Sequence, residues 1–163
     1  PLELYRAPEK LIYRFINRQL VFAYDDRQRL TLNSCNVVIP HIPGLDMRYI
    51  MAILNSRVAQ YIYEKRYNAV KVLRSHIENI PVPVADEETQ RRIISKAEEL
   101  MAEELITESS VNSEMQTYKT GKDHLQRYRL YEEIDDIVRK LYSVTDEEYE
   151  FIKQSLSGDK YML

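Results

Sequence analysis

Glycine is scarce: the 163 residues contain Gly44, Gly121 and Gly158, no two closer than 37 positions. A phosphate-cradling loop, a dinucleotide fingerprint and a nucleophile elbow all need closely spaced glycines, so none can be written here. Cysteine is nearly absent too. Cys35 stands alone, which excludes an internal disulfide framework and fits a reducing compartment. It reads as a small apolar core residue rather than a nucleophile. His41, His76 and His124 are isolated from one another and from Cys35, so no local zinc spacing exists. His41 sits in the stiff turn Pro40-His41-Ile42-Pro43 and reads as a loop histidine. No apolar run approaches the roughly 18 residues of a membrane span. The chain opens Pro-Leu-Glu-Leu-Tyr-Arg, without an apolar signal segment or an initiator methionine. It is therefore expected to be a piece of a longer protein, and its function that of a module.

Two further absences bear on chemistry. There is no Pro-Pro pair, so the Asn-Pro-Pro-Tyr motif of amino-methyltransferases is missing. No lysine follows an acid at the second position, so the Asp/Glu-x-Lys metal motif of many nucleases is missing as well. A catalytic centre is not expected in the chain. A fragment with a nuclease centre is the weakest of the readings considered.

The residues that are present suit a folded domain. The chain is 44% hydrophobic and 30% charged, and a domain of this size buries roughly 70% of its unfolded surface. The net charge of −3 conceals two unlike halves: residues 1–84 hold 12 Lys+Arg against 7 Asp+Glu, and residues 85–163 hold 11 against 19. The acidic whole argues against a nucleic-acid partner, but the basic half alone does not. The expected division follows this border, with a recognition domain over 1–84 and an acidic helical extension over 85–163.

The pattern predicts an α+β fold: a mixed or antiparallel sheet with a long packed helix, then a helical C-terminal extension. Residues 11–16 and 20–24 are β-rich runs joined by the hairpin-length Asn17-Arg18-Gln19. Asp25 to Arg29 reads as a charged turn. Leu30 to Leu32 and Asn36 to Ile39 are further strand candidates, so the first forty residues read as a strand meander. Ile50, Ile53, Leu54, Val58, Tyr61 and Ile62 recur at helical spacing, predicting one helix from Asp46, its N-cap, to about Arg66. Ala69 to Leu73 suggests a returning strand, and Arg74 to Asn79 a helical turn. Prolines hold residues 80–84 extended. Helices are expected over about 86–106, 122–142 and 145–157. A connection without clear period occupies 107–120, and Thr145-x-x-Glu148 forms a capping box. The inward stripe of the helix 122–142 is expected to include Leu125, Tyr128, Tyr131, Ile134, Ile137, Val138 and Leu141. Met101 and Leu105 are expected in the core, and acidic pairs such as Asp135-Asp136 on solvated faces.

The basic half interleaves arginine and lysine with tyrosine. Arg14, Arg18, Arg27, Arg29, Arg57, Lys65, Arg66, Lys71 and Arg74 stand among Tyr13, Tyr24, Tyr61, Tyr63 and Tyr67. Arginine's planar fork can hold a phosphate or a guanine edge by two bonds. Solvated arginines lying over a core, and cations at a helix C-terminus, are the bland reading of the same pattern. Arg14 is expected on the strand face opposite Tyr13 and Phe15, where it must be exposed, paired or functional. Loop placement and basic character together select Arg14, Arg18, Lys65, Arg66, Lys71 and Arg74 as candidate DNA contacts.

Several strings in sequence resemble one family. They are Pro8-Glu9-Lys10-Leu11-Ile12-Tyr13-Arg14, Leu20-Val21-Phe22-Ala23-Tyr24-Asp25, Leu32-Asn33-Ser34, Ala52-Ile53-Leu54-Asn55-Ser56, and Arg74 followed by Ile80-Pro81-Val82-Pro83. Their order and spacing over about residues 5–84 resemble the TaqI-like C-terminal specificity domain of adenine-N6 DNA methyltransferases and fused restriction–modification enzymes. The acidic helices beyond resemble the tail that often follows in such enzymes. The resemblance implies a module that grips double-stranded DNA and reads its sequence, with no catalysis or cofactor of its own. The parent's separate catalytic domain would hold S-adenosylmethionine and flip the target adenine. It also implies a prokaryotic cytoplasmic protein, without membrane attachment. The acidic half, whose charge phosphate would repel, is expected to face away from DNA as a spacer or clamp against the catalytic domain or another subunit. The rival expectation is a protein–protein module in which helices 86–106 and 122–142 pair with copies of themselves or with the parent's other domains or subunits.

Overall fold

A computed structural model describes residues 2–31, 34–67, 69–111 and 121–158. After a short helix α1 (Leu2–Tyr5) come three strands, β1 (Lys10–Arg14), β2 (Phe22–Asp25) and β3 (Cys35–Val38). The helices that follow are α2 (Met47–Leu54), α3 (Arg57–Arg66), α4 (Arg74–Glu78), α5 (Glu87–Val111), α6 (Gly121–Leu141) and α7 (Asp146–Ser155). The architecture is the expected α+β, with an antiparallel sheet and C-terminal helices. Among the described residues, no helix is long and apolar enough to cross a membrane.

The sheet is not a meander. Its order is β2-β1-β3, because β3 passes over β2 to pair with the far side of β1. Tyr13 faces Phe22 across one ladder and Asn36 across the other. The connection between β1 and β2 runs from 15 to 21, longer than the three residues expected. Leu30 and Thr31 form no strand, and Leu32 lies outside the described residues. Asp25, expected in a charged turn, is instead the buried end of β2. It pairs with Lys10 directly opposite, and both side chains are almost wholly buried. Lys10 also donates to the Tyr5 carbonyl at 2.8 Å, and Asp25 accepts the Arg29 amide at 3.0 Å. The buried charges are therefore hydrogen-bonded as well as paired, as burial demands.

The helix expected over 46–66 is broken in two. Asp46 does cap its start, accepting the Arg48 amide. At Ser56 the backbone turns extended, and its hydroxyl accepts the Ala59 amide to begin α3. Asn55, still helical in its backbone, caps the end of α2 and is tied to β2 by its side chain. It accepts the Phe22 amide at 2.9 Å and donates to the Phe22 carbonyl at 2.8 Å. Ala69 to Leu73 likewise gives only a single bridge, Ile16 to Lys71, instead of a strand.

One core runs through the sheet and the helices: Leu11, Tyr13, Ile50, Ile53, Ile93, Ala97, Ile134 and Val138 belong to the same buried cluster. The apolar faces of α5 and α6 are turned toward each other and α2. Met101 packs half-buried against this cluster, whereas the Leu105 side chain lies outside the described residues. So do residues 112–120 of the expected connection. Leu125 and Tyr128 are exposed instead of inward, and the first fully buried residue described on α6 is Leu130. Cys35 is half-buried rather than fully buried. The extended segment 80–84 is held by two tyrosines. Tyr49 donates to the Pro83 carbonyl at 2.6 Å, and Tyr142 donates to the Pro81 carbonyl. Burial pushes the Tyr49 phenol up to about 12. The Thr145 capping box forms as expected.

Asp135, expected on a solvated face, is 1% exposed, and so the largest correction falls on it. It reaches from α6 to the first turn of α3, accepting the Arg57 amide at 3.0 Å and the Arg57 guanidinium at 3.3 Å. Tyr149 of α7 donates to the same carboxylate and accepts from Arg57 at 2.9 Å. Glu132 adds an ion pair to Arg57 at 2.8 Å. Burial works against the Arg57 charge, but Glu132 and Asp135 outweigh it and raise its pKa. Arg57 is thus a structural residue and not a DNA contact.

Removing Asp135 should leave a buried, undercompensated guanidinium. Asp135→Ala is expected to destabilise the chain by about 3–5 kcal/mol in urea unfolding, and a loss under about 1 kcal/mol would refute that role. A second expectation concerns acid. Burial pulls the Asp25 carboxyl upward, but the Lys10 ammonium and the Arg29 and Arg27 amides overcome it and hold it below the usual carboxylate range. The stabilisation is therefore complete above the unfolded value of about 3.9 and disappears as pH falls through the lower folded value. Asp25→Asn should be less stable at neutral pH and show a flatter stability decline below about pH 4. An unchanged acid profile would contradict this.

Candidate nucleic-acid interface

Helix α3 organises the surface on which the basic residues gather. Its Gln60 is buried, accepts the Leu20 amide at 2.8 Å and donates to the Arg18 carbonyl at 3.1 Å. One turn on, the Tyr63 hydroxyl lies 3.5 Å from the Lys71 carbonyl. A single helix thus holds the 18–20 loop and the 69–73 segment. The two segments are also tied directly, by the Asn17 amide to the Val70 carbonyl at 3.0 Å and the Val72 amide to the Phe15 carbonyl at 2.7 Å. Neither Gln60 nor Tyr63 carries a sequence signal for this role. A polar Gln60 beside the apolar stripe of a helix was the one available hint.

The crossing brings the sequence-selected residues together. Residues 14–18 and 65–74 contain Arg14, Arg18, Lys65, Arg66, Lys71 and Arg74 and no acid. All six are exposed. Arg14 faces outward while Tyr13 is buried and Phe15 packs on the core, as strand alternation requires. Among the described residues, Arg14, Arg18 and Lys71 have no ion-pair partner. Arg74 pairs with Glu78 at 2.7 Å, and Arg66 donates to the Asn79 carbonyl at 2.5 Å. Lys65 lies over the Tyr61 ring at 5.4 Å. His76 stacks on Tyr67 with centroids 4.0 Å apart, fixing α4 beside the end of α3. Arg66 and Arg74 are thus held in place by neutral or i,i+4 contacts and remain accessible, while the other cations are freer to follow a ligand. The arrangement can neutralise phosphates, because the two tied segments carry several exposed cations, of which Arg74 alone is shown paired with an acid, Glu78.

The other basic surface is different in kind. A groove of about 480 Å³ lies between β2, α2 and α5, with Arg27, Arg29 and Arg48 at its rim and Met51 and Met101 in its wall. None of the six selected cations lines it. Arg48 is neutralised by Asp46 and Glu98. Among the described residues, no cluster of His, Cys, Asp or Glu could hold a metal ion.

Residues 1–82 match the sequence model of the TaqI-like C-terminal specificity domain. The chain belongs to this family. No curated protein matches it. The matched span includes β1 to α4, the Gln60 and Tyr63 anchors and all six selected cations. It ends within the proline segment that Tyr49 and Tyr142 hold. The family is one of specificity domains rather than catalytic domains, and the candidate surface lies wholly inside the specificity domain. The helices α5 to α7 lie beyond the match and pack against its α2 and α3.

Gln60→Leu should uncouple the loop from α3 by orphaning the buried Leu20 amide. The expected loss is about 1–3 kcal/mol of stability, with faster hydrogen exchange at the Leu20 amide. Unaltered exchange at Leu20 would show that Gln60 does not hold the loop.

Proposed function

We propose that this chain is a DNA target-recognition module of an adenine-N6 DNA methyltransferase or restriction–modification enzyme. It would position duplex DNA for a catalytic domain carried elsewhere in the parent. The observation that carries this reading is the crossing of residues 14–18 with 69–73 in a specificity domain, which brings the segments of the exposed Arg14, Arg18 and Lys71 side by side with no acid in either. Arg14, Arg18, Lys65, Arg66, Lys71 and Arg74 would grip phosphates and set the register of the domain on the duplex. Base reading would come from the same two segments, which are held by α3 and so hold their geometry when DNA arrives.

The acidic half has a compatible part. Its helices brace α3 from behind through Asp135 and Tyr149, and their excess of acids would be repelled by phosphate. In the parent they would lie toward the catalytic domain. The chain itself would carry out no chemistry. S-adenosylmethionine would belong to the parent's catalytic domain, and the parent would work in a prokaryotic cytoplasm. Pairing of helices between copies has less support, since α5 and α6 already bury Ile93, Ile94, Ala97, Ile134 and Val138 within the chain.

Fluorescence anisotropy on a mixed-sequence duplex pool across a salt series tests the reading. The wild-type chain should bind with log affinity falling linearly in log salt, by about 0.9 per phosphate neutralised. Lys71→Glu with Arg74→Glu should abolish measurable binding at moderate salt while the protein stays folded by circular dichroism. Equal affinity and equal slope for the variant would remove both residues from the interface.

A further inference from the structure

The basic surface contains a feature that phosphate binding does not use. Ile16 is 58% exposed, Leu73 49% and Val70 56%. Scattered apolar side chains on a surface are ordinary, but these three lie in the two segments that carry the cations. The hydrogen-bond pattern fixes their relation. The Asn17 amide bonds the Val70 carbonyl and the Val72 amide bonds the Phe15 carbonyl. Ile16 and Lys71 therefore face each other as a non-hydrogen-bonded antiparallel pair, the kind whose side chains stand closest. Alternation puts Arg14, Ile16 and Arg18 on one face, with Val72 buried on the opposite side of the partner segment. The face thus reads as an aliphatic centre flanked by cations.

An aliphatic centre flanked by cations, with Glu78 at its edge held by Arg74, suits an anionic partner that carries an apolar group within its grooves. Duplex DNA has one such group: the thymine C5-methyl, which projects into the major groove. That groove is wide enough to admit two antiparallel strands, and two tied segments are what the crossing provides. Building on the DNA-recognition reading above, we infer that Ile16 and Leu73 form an apolar reading element that packs against thymine methyl groups in the major groove. The surrounding arginines and lysines would hold the flanking phosphates. The recognised sequence then contains at least one thymine whose methyl group is read.

The test uses the 163-residue chain and a duplex library with a randomised centre. After selection of the preferred sequence, each thymidine is replaced in turn by deoxyuridine, which removes only the methyl. Binding should weaken about fourfold at one or more positions, the worth of one buried methyl group. Ile16→Ala with Leu73→Ala should bind thymidine and deoxyuridine duplexes equally, with an unchanged salt slope. Both side chains are exposed, so the fold should survive, and the wild-type comparison needs no variant at all. A preferred sequence without thymine, or full tolerance of deoxyuridine with the salt dependence intact, overturns the methyl contact and leaves DNA recognition standing. Failure to bind any duplex at low salt overturns DNA recognition and this inference with it.

Discussion

A guanidinium buried at the start of α3 organises much of this molecule. Arg57 is 2% exposed, and a charge so placed must be surrounded by acceptors or it unfolds its own environment. The acceptors come from elsewhere in the chain: Asp135 and Glu132 on α6, and the Tyr149 hydroxyl on α7. Asp135 also takes the Arg57 amide, putting a carboxylate at the positive end of the α3 dipole. A cation–ring contact from Arg139 of α6 to Tyr149 then helps fix α7 in turn. The ion pair thus sets where α3 starts, which helices stand behind it, and which way its outward face points.

The buried contacts of α3 beyond Arg57 support the surface of the proposed function. Gln60 and Tyr63 lie one and two turns beyond Arg57 and reach the two basic segments. The far end of the helix is in contact with the tail of the chain as well, where Ser157 donates to Glu64 at 2.9 Å and Glu64 accepts from Gln60 at 3.0 Å. An unbroken chain of polar contacts therefore leads from the helical half through α3 to the Arg18 loop. Loops that read a ligand are usually the mobile parts of a scaffold. Here they are fastened at the backbone, so the cations at their tips vary in rotamer more than in position.

Much of this was legible in the sequence, and the rest was hidden for physical reasons. Local signals were reliable. The β-rich runs at 11–16 and 20–24, the Asp46 cap, the Thr145 capping box and the proline stretch each produced the element their chemistry dictates. The selected cations could be recognised as exposed because alternation and helix ends dispose of charge in simple ways. Errors arose where a residue answered a distant partner. Asn55 and Ser56 are compatible with a helix, and neither the break at Ser56 nor the Asn55 contact to the Phe22 backbone has a local sign. Asp135 and Asp25 look like ordinary surface acids until Arg57 and Lys10 arrive from other elements. The β2-β1-β3 order and the Ile16–Lys71 crossing are long-range pairings, for which neither periodicity nor turn chemistry offers a sign.

Asn55 has a meaning beyond capping a helix. Its side-chain amide imitates a neighbouring strand, presenting one acceptor and one donor to the outward backbone groups of Phe22. At that point β2 is an edge already occupied. Open edges invite another chain to add itself to the sheet, and a small three-stranded sheet is vulnerable to such mispairing. A single asparagine, supplied by the chain itself, blocks that addition at Phe22.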